Sequence, residues 1–240
     1  MRERSTRVRH KSLTPCALGN LPAVSESQNI SSPLLALPAI DADRARIETA
    51  MQESVHTPDA YLNEIASHLI VAGGKRLRPV LAVAAAQING VAAADDVVRG
   101  GVSCELVHLG SLYHDDVMDE ADTRRGVETV NAKWGNLQAI LAGDFLLSRA
   151  SEIAASLGTE VAGLLARTIG WLCEGQIAEL RHTYDISRPE SSYFTSIHGK
   201  TASLYGTAAR IGGIVAGHDR VTIDALTDFG NAYGMVFQIV

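Results

Sequence analysis

Two aspartates four residues apart, Asp115 and Asp119, are the first candidates for chemistry, because a helix projects side chains at that spacing from one face. Laid out at about 100° per residue, Ser103 to Asp119 forms one helix with both carboxylates near its C-terminal end. Like charges at that spacing repel, and the helix dipole already makes that end partly negative. Asp116, Glu120 and Asp122 add to the crowding. One reading is an acidic helix end standing in water. The other is a cation site, for which Mg2+ is suited: it takes one or two carboxylates and completes its shell with water and phosphate oxygens.

Basic residues follow at once. Within ten residues the chain turns to Thr123-Arg124-Arg125-Gly126, and paired guanidiniums beside carboxylates suit a diphosphate held partly by metal and partly by arginine forks. A second basic cluster lies upstream in Gly73-Gly74-Lys75-Arg76-Leu77-Arg78-Pro79. Three cations there precede a predicted helix start, where the dipole repels them unless an anion sits on the exposed N–H groups. The two glycines let backbone approach such an anion, although the spacing is not that of a Walker loop. Two basic clusters and one acidic cluster together indicate two phosphate-bearing substrates and a metal.

The elements that must position these groups are helical almost throughout. Asp41 is placed to cap a helix running through Ile47, and apolar residues then recur at three- and four-residue intervals. Pro79 reads as the first residue of a helix over Val80 to Ile88. Further helices are predicted for Asp96 to Met118, Asn136 to Leu157, Glu160 to Leu180, Ser191 to Val215, and Thr222 onward. Alternating strand patterns are absent, which predicts an all-α domain over 41–240. Residues 1–40 differ, being basic, Ser- and Pro-rich and without an apolar stretch, so they read as a disordered leader or an organellar transit peptide.

Composition sets outer limits. The 240 residues are 46% apolar and 20% charged, which fits a folded domain and not a disordered chain. A net charge of −6 argues against a general nucleic-acid binder, which needs a basic face. Cys16, Cys104 and Cys173 show no zinc or disulfide spacing, so a reducing compartment, the cytoplasm, is expected unless the leader directs import. No apolar run approaches the roughly 20 residues of a transmembrane helix.

Several of these segments together resemble the trans-isoprenyl (polyprenyl) diphosphate synthases. They are Gly73 to Pro79, His114-Asp115-Asp116-Val117-Met118-Asp119 with Arg124-Arg125-Gly126, Leu141 to Leu147, Lys200-Thr201 and Phe237-Gln238, in the family's order. The resemblance implies the isoprenoid synthase fold, an antiparallel helical bundle around a deep central cavity. It implies Mg2+-dependent condensation of isopentenyl diphosphate with an allylic prenyl diphosphate. It assigns Lys75, Arg78, His108 and Arg125 to isopentenyl diphosphate, and Arg124, Lys200, Thr201 and Gln238 to the allylic substrate. Asp115 and Asp119 would hold the metal, with Asp116, Asp144 and Gln176 behind them and His114 in a supporting place. No protein base is implied, since the departing diphosphate takes the proton.

The same resemblance speaks to product length. Ser111, His108 and Cys104 lie within about 40° of Asp115 on the wheel, and Val107 and Gly110 are expected to border that side. Short-product members carry bulky aromatics four or five residues before the first aspartate; here those positions are Ser111 and Gly110. A medium or long product is therefore expected. The family's second aspartate-rich motif follows its Phe-Gln pair, whereas this sequence reads Phe237-Gln238-Ile239-Val240, so a fragment or truncated gene with little activity alone is expected. A terpene cyclase would not need the Gly73 to Pro79 segment, and a non-catalytic subunit would tend to lose the aspartates. A homodimer or a heteromer with a partner synthase is the expected assembly.

Overall fold

The computed structural model describes residues 32–37 and 40–239. Expectations for the rest of the leader, Cys16 included, lie outside the described residues. Residues 32–37, assigned above to the leader, instead belong to the folded unit. Pro33–Ala36 forms a 3-10 turn started by the Ser32 hydroxyl, Leu34 is buried, and Ser32 Oγ lies 2.6 Å from the Tyr233 hydroxyl.

Ten α-helices follow among the described residues. They are α1 (Ile40–Val55), α2 (Ala60–Val71), α3 (Leu77–Ala86), α4 (Asp95–Met118), α5 (Val130–Trp134), α6 (Asn136–Ser156), α7 (Thr159–Arg181), α8 (Glu190–Ile197), α9 (Ser203–Val215) and α10 (Arg220–Ile239). The starts have local causes. Asp59 accepts from the backbone N–H groups of Tyr61 and Leu62 and caps α2, and Thr129 accepts from Ala132 to cap α5. Asp41 is not a cap but lies in the first turn of α1, which begins one residue earlier. Pro79 is the third residue of α3, not its first; it is tolerated there because the first turn's N–H groups have no helical partners.

The helix α4 is the centre of the bundle. It packs on α1, α3, α6 and α9, so apolar residues ring it on nearly every side: Val97, Val102, Leu106 and Leu109 are all buried. Tyr113 ties it to α2 by donating to the Ile65 carbonyl at 2.8 Å. One antiparallel pairing, β1 (Thr123–Arg124) with β2 (Val127–Glu128), departs from the all-helical expectation. Its two central residues, Arg125 and Gly126, have φ of 54° and 79°, the pattern of a type I′ hairpin turn. Two-residue strands carry no readable alternation, which is why the sequence pattern does not show them.

The predicted helix from Ser191 to Val215 is interrupted. Between α8 and α9, His198–Ala202 winds as a π-helix, a form concentrated at functional sites. It packs closely against α7. A Cβ on Gly175 would stand 2.5 Å from the Lys200 nitrogen and 2.8 Å from the Ser196 carbonyl. The two backbones touch there, and only glycine permits it.

Candidate active site

The lower half of α4 forms one wall of a cavity of about 740 Å³. His108, Ser111, Leu112, Asp115 and Met118 face it from α4, Lys75 from the segment leading into α3, and Arg78 from the first turn of α3. Opposite stand Leu172, Cys173, Gln176, Ile177 and Leu180 of α7, then Lys200 and Thr201 of the π-helix, Tyr205, Phe237 and Gln238. Arg125 reaches in from the hairpin. The walls are thus mainly apolar, with base at one end, acid at the mouth, and polar groups of the π-helix across from the acid.

Each cation is held differently. The Arg78 guanidinium stacks 4.6 Å from the centre of the Tyr205 ring, and its buried Nε has no hydrogen-bond partner among the described residues. Arg125 Nη1 donates to the carbonyls of Leu69, at 3.0 Å, and Gly73. Burial lowers the Arg125 pKa, with Glu105 opposing and the neighbouring arginines adding to the fall. Lys200 Nζ bonds Glu179 Oε2 at 2.7 Å, and Thr201 donates to Gln238 Oε1 at 2.8 Å. His108 is kept uncharged at neutral pH: burial lowers it well below the usual imidazole range, and Arg78, Arg125, Arg124 and Arg76 push the same way.

The aspartates divide into three roles. Asp115 faces the cavity; burial raises its carboxyl above the usual range, Lys200 pulls against that, and Asp119 adds to it. Asp116 is buried and turned away, accepting from Arg124 Nε at 2.6 Å. Asp119 is the C-cap of α4 and is exposed; it does not line the cavity, but its charge acts on Asp115. The donor chemistry suits a hard cation at Asp115 and Asp119: two carboxylates on adjacent turns, one of them destabilised as an anion by burial and its neighbour. Among the described residues no group of three or more His, Cys, Asp or Glu side chains is placed to enclose an ion. Any metal would take its remaining oxygens from water and a diphosphate.

Not every predicted residue reaches the cavity. Arg124 is engaged with Asp116 on the outer side, and Asp144, on α6, lies 3.5 Å from His114 Nε2. Gln176 does line the wall, with Oε1 buried and unpartnered. Gly110 is a correction: it is five residues before Asp115, hence about 140° around the helix, and faces α6, where an added Cβ would meet the Gly143 carbonyl at 3.0 Å. Val107 is likewise turned into the core and wholly buried. Cys104 points in the right direction but lies below the cavity, wholly buried, in reach of the Arg78 charge. Of the proposed channel stripe, Ser111 and His108 face open space. Glu105, Met118, Leu112, Cys173 and Tyr205 also line the cavity and were not anticipated; for the α4 residues, the wheel offset from Asp115, within about 80°, is the signal that would have found them.

Solved structures of prenyl diphosphate synthases share this helical fold. The decaprenyl diphosphate synthase from Rhodobacter capsulatus superposes with a TM-score of 0.80 at 35% identity, covering 86% of this chain and 63% of that one. Heptaprenyl diphosphate synthase from Staphylococcus aureus gives 0.79 at 29%, covering 83% and 64%. The chain belongs to the polyprenyl synthetase family, whose pattern matches residues 59–240. It is 41% identical over 201 residues to the nonaprenyl diphosphate synthase of Mycobacterium tuberculosis, covering 84% of this chain and 60% of that protein. It is 39% identical over 198 residues to heptaprenyl diphosphate synthase component 2 of Geobacillus stearothermophilus, covering 82% and 62%. The chain therefore spans 60–62% of the length of these relatives.

Proposed function

We propose that this chain carries the isopentenyl-diphosphate side and the first aspartate-rich wall of a prenyltransferase that makes an all-trans, medium- or long-chain polyprenyl diphosphate. The observation that supports this best is the single cavity that gathers Lys75, Arg78, His108, Asp115, Lys200, Thr201 and Gln238 around apolar walls. Lys75 and Arg78 hold the diphosphate of isopentenyl diphosphate, and uncharged His108 donates a hydrogen bond to it. Lys200, Thr201 and Gln238 orient the allylic diphosphate, whose hydrocarbon tail lies along Ser111, Leu112 and the α7 face. The apolar walls exclude water from the reacting carbons. Asp115 and Asp119 would hold Mg2+, which would neutralise charge on the departing diphosphate. No side chain is assigned as the base.

Medium and long relatives support the product class, as does the small Ser111 at the cavity wall. Assembly with a second copy or a second subunit fits the exposed apolar residues Leu137 and Leu141 of α6. No helix among the described residues is long and apolar enough to cross a membrane. Calorimetric titration tests the reading: isopentenyl diphosphate binds without metal, and farnesyl diphosphate binds more tightly with Mg2+ than with EDTA. Absence of both refutes it. Ser111→Phe should weaken a C30 allylic diphosphate far more than geranyl diphosphate; equal losses would show that Ser111 does not border the tail.

A further inference from the structure

The segment Gly73 to Arg78 holds three cations in four residues, and the middle one is held mainly by the protein itself. Arg76 is 1% exposed. Its Nε and Nη2 fork onto the two oxygens of Glu48, on α1, at 2.7 and 3.1 Å. Nη2 also donates to the carbonyl of Ile70, in the last turn of α2, at 2.7 Å. Nη1 makes no hydrogen bond among the described residues; it lies 3.7 Å from Glu105 Oε1, a buried carboxylate of α4, and both side chains border the cavity. One side chain therefore joins three helices directly behind the turn that carries Lys75 and Arg78.

The backbone shows what this joining does. Arg76 sits at φ 50°, the left-handed region, where a non-glycine residue persists only if its surroundings fix it. Gly74 runs in the narrow gap between two guanidiniums: a Cβ there would meet Arg125 Nη1 at 2.9 Å and Arg76 Nη1 at 3.1 Å. Lys75 is left exposed and Arg78 is left facing the cavity, on either side of the fixed residue.

We propose that Arg76 is a positioning residue: anchored on Glu48 and the Ile70 carbonyl, with Glu105 beside it, it fixes the turn that aims Lys75 and Arg78 at a diphosphate. This rests on the reading of the cavity as an isopentenyl diphosphate site. Lysine cannot replace it, since an ammonium lacks the planar fork that spans a carboxylate and a carbonyl together. Glu48 lies outside the cavity lining, so an effect of Glu48 on binding has to travel through Arg76.

The experiment titrates isopentenyl diphosphate into the wild-type chain, Arg76→Lys, Arg76→Met, Glu48→Gln and the Arg76→Met/Glu48→Gln double variant. Thermal unfolding and amide hydrogen exchange of residues 73–78 are followed in each. Arg76→Lys and Glu48→Gln should each weaken binding about tenfold or more, the loss of one charge-assisted hydrogen bond to a misaimed cation. The double variant should bind no worse than Arg76→Met, and exchange across 73–78 should quicken in all of them. Wild-type affinity in Arg76→Lys, or in a folded Glu48→Gln, overturns the proposal. A purely structural role would lower the unfolding temperature and leave the affinity of the folded protein unchanged. If the wild-type chain binds no isopentenyl diphosphate, the reading of the cavity fails separately, and unchanged exchange at 73–78 in Glu48→Gln would then overturn the positioning role on its own.

Discussion

Gly170 and Gly175 lie on the same helix, α7, yet replacing each by alanine should move stability in opposite directions. Around Gly170 a new Cβ finds nothing within 4 Å, so the substitution keeps only its intrinsic gain, about 0.8–1 kcal/mol of helix propensity. Around Gly175 the same Cβ meets backbone of the π-helix, including the Lys200 nitrogen at 2.5 Å. Backbone cannot swing aside as a side-chain end can. Separating two packed helices by overpacking costs about 1–3 kcal/mol, which outweighs the propensity gain and leaves a net loss of up to about 2 kcal/mol. In a domain of this size each kcal/mol moves the midpoint by about 2–4 °C. Gly170→Ala should therefore melt slightly higher than wild type and Gly175→Ala several degrees lower, by calorimetry or circular dichroism. Gly175→Ala should also lose affinity for farnesyl diphosphate, because Lys200 and Thr201 ride on the displaced segment. Equal midpoints for the two variants would refute the claim that contact between α7 and the π-helix fixes the position of Lys200.

Two further outcomes follow from buried titratable groups. His108 has its pKa lowered in the folded chain, chiefly by burial, so below the unfolded value of about 6.5 the unfolded state binds more protons and stability falls with pH. His108→Gln should flatten the dependence of urea stability between pH 7 and pH 5 by at most about 1.4 kcal/mol per unit, and an unchanged slope would show that the ring charges freely. Burial pushes the Cys104 thiol up to about 12, whereas Cys173 is exposed on the cavity wall. With Cys16 replaced by serine, a maleimide at pH 8 should label Cys173 alone, and farnesyl diphosphate should slow that labelling; modification of native Cys104 would contradict its enclosure.

The helices were legible because their apolar spacing is long and regular, and the aspartate and arginine motifs because few chemistries tolerate those charges together. What was not legible depends on contacts between distant segments. The π-helix lies where Gly175 meets Ser196 and Lys200, a contact that no local pattern in Ser191 to Val215 records. The hairpin at Arg125-Gly126 had a turn signal but strands too short to alternate. Gly110 was misplaced for a simpler reason: five residues is about 140° of helix, so its small size serves the contact with α6 and not the cavity. The leader boundary fell late because Leu34 and Leu35 pack through a single 3-10 turn, too short for a periodic signature.

The basic residues show most clearly how a motif can overstate its ligand. Five cations, Lys75, Arg76, Arg78, Arg124 and Arg125, fall in the two basic segments, and charge counting alone assigns them all to phosphate. Arg76 is consumed by Glu48 and the Ile70 carbonyl, and Arg124 by Asp116. Arg125 spends Nη1 on the carbonyls of Leu69 and Gly73. Carbonyls 69, 70 and 73 lie in the last turn of α2 and just past it, so two of these arginines bind the end of that helix as well as facing the cavity. Lys75, with no carboxylate partner among the described residues, and Arg78, resting on the Tyr205 ring with Nε likewise unpartnered there, keep donors for an anion. A diphosphate arriving there meets cations already aimed and need not dismantle an ion pair to be bound, which is where preorganised sites gain affinity.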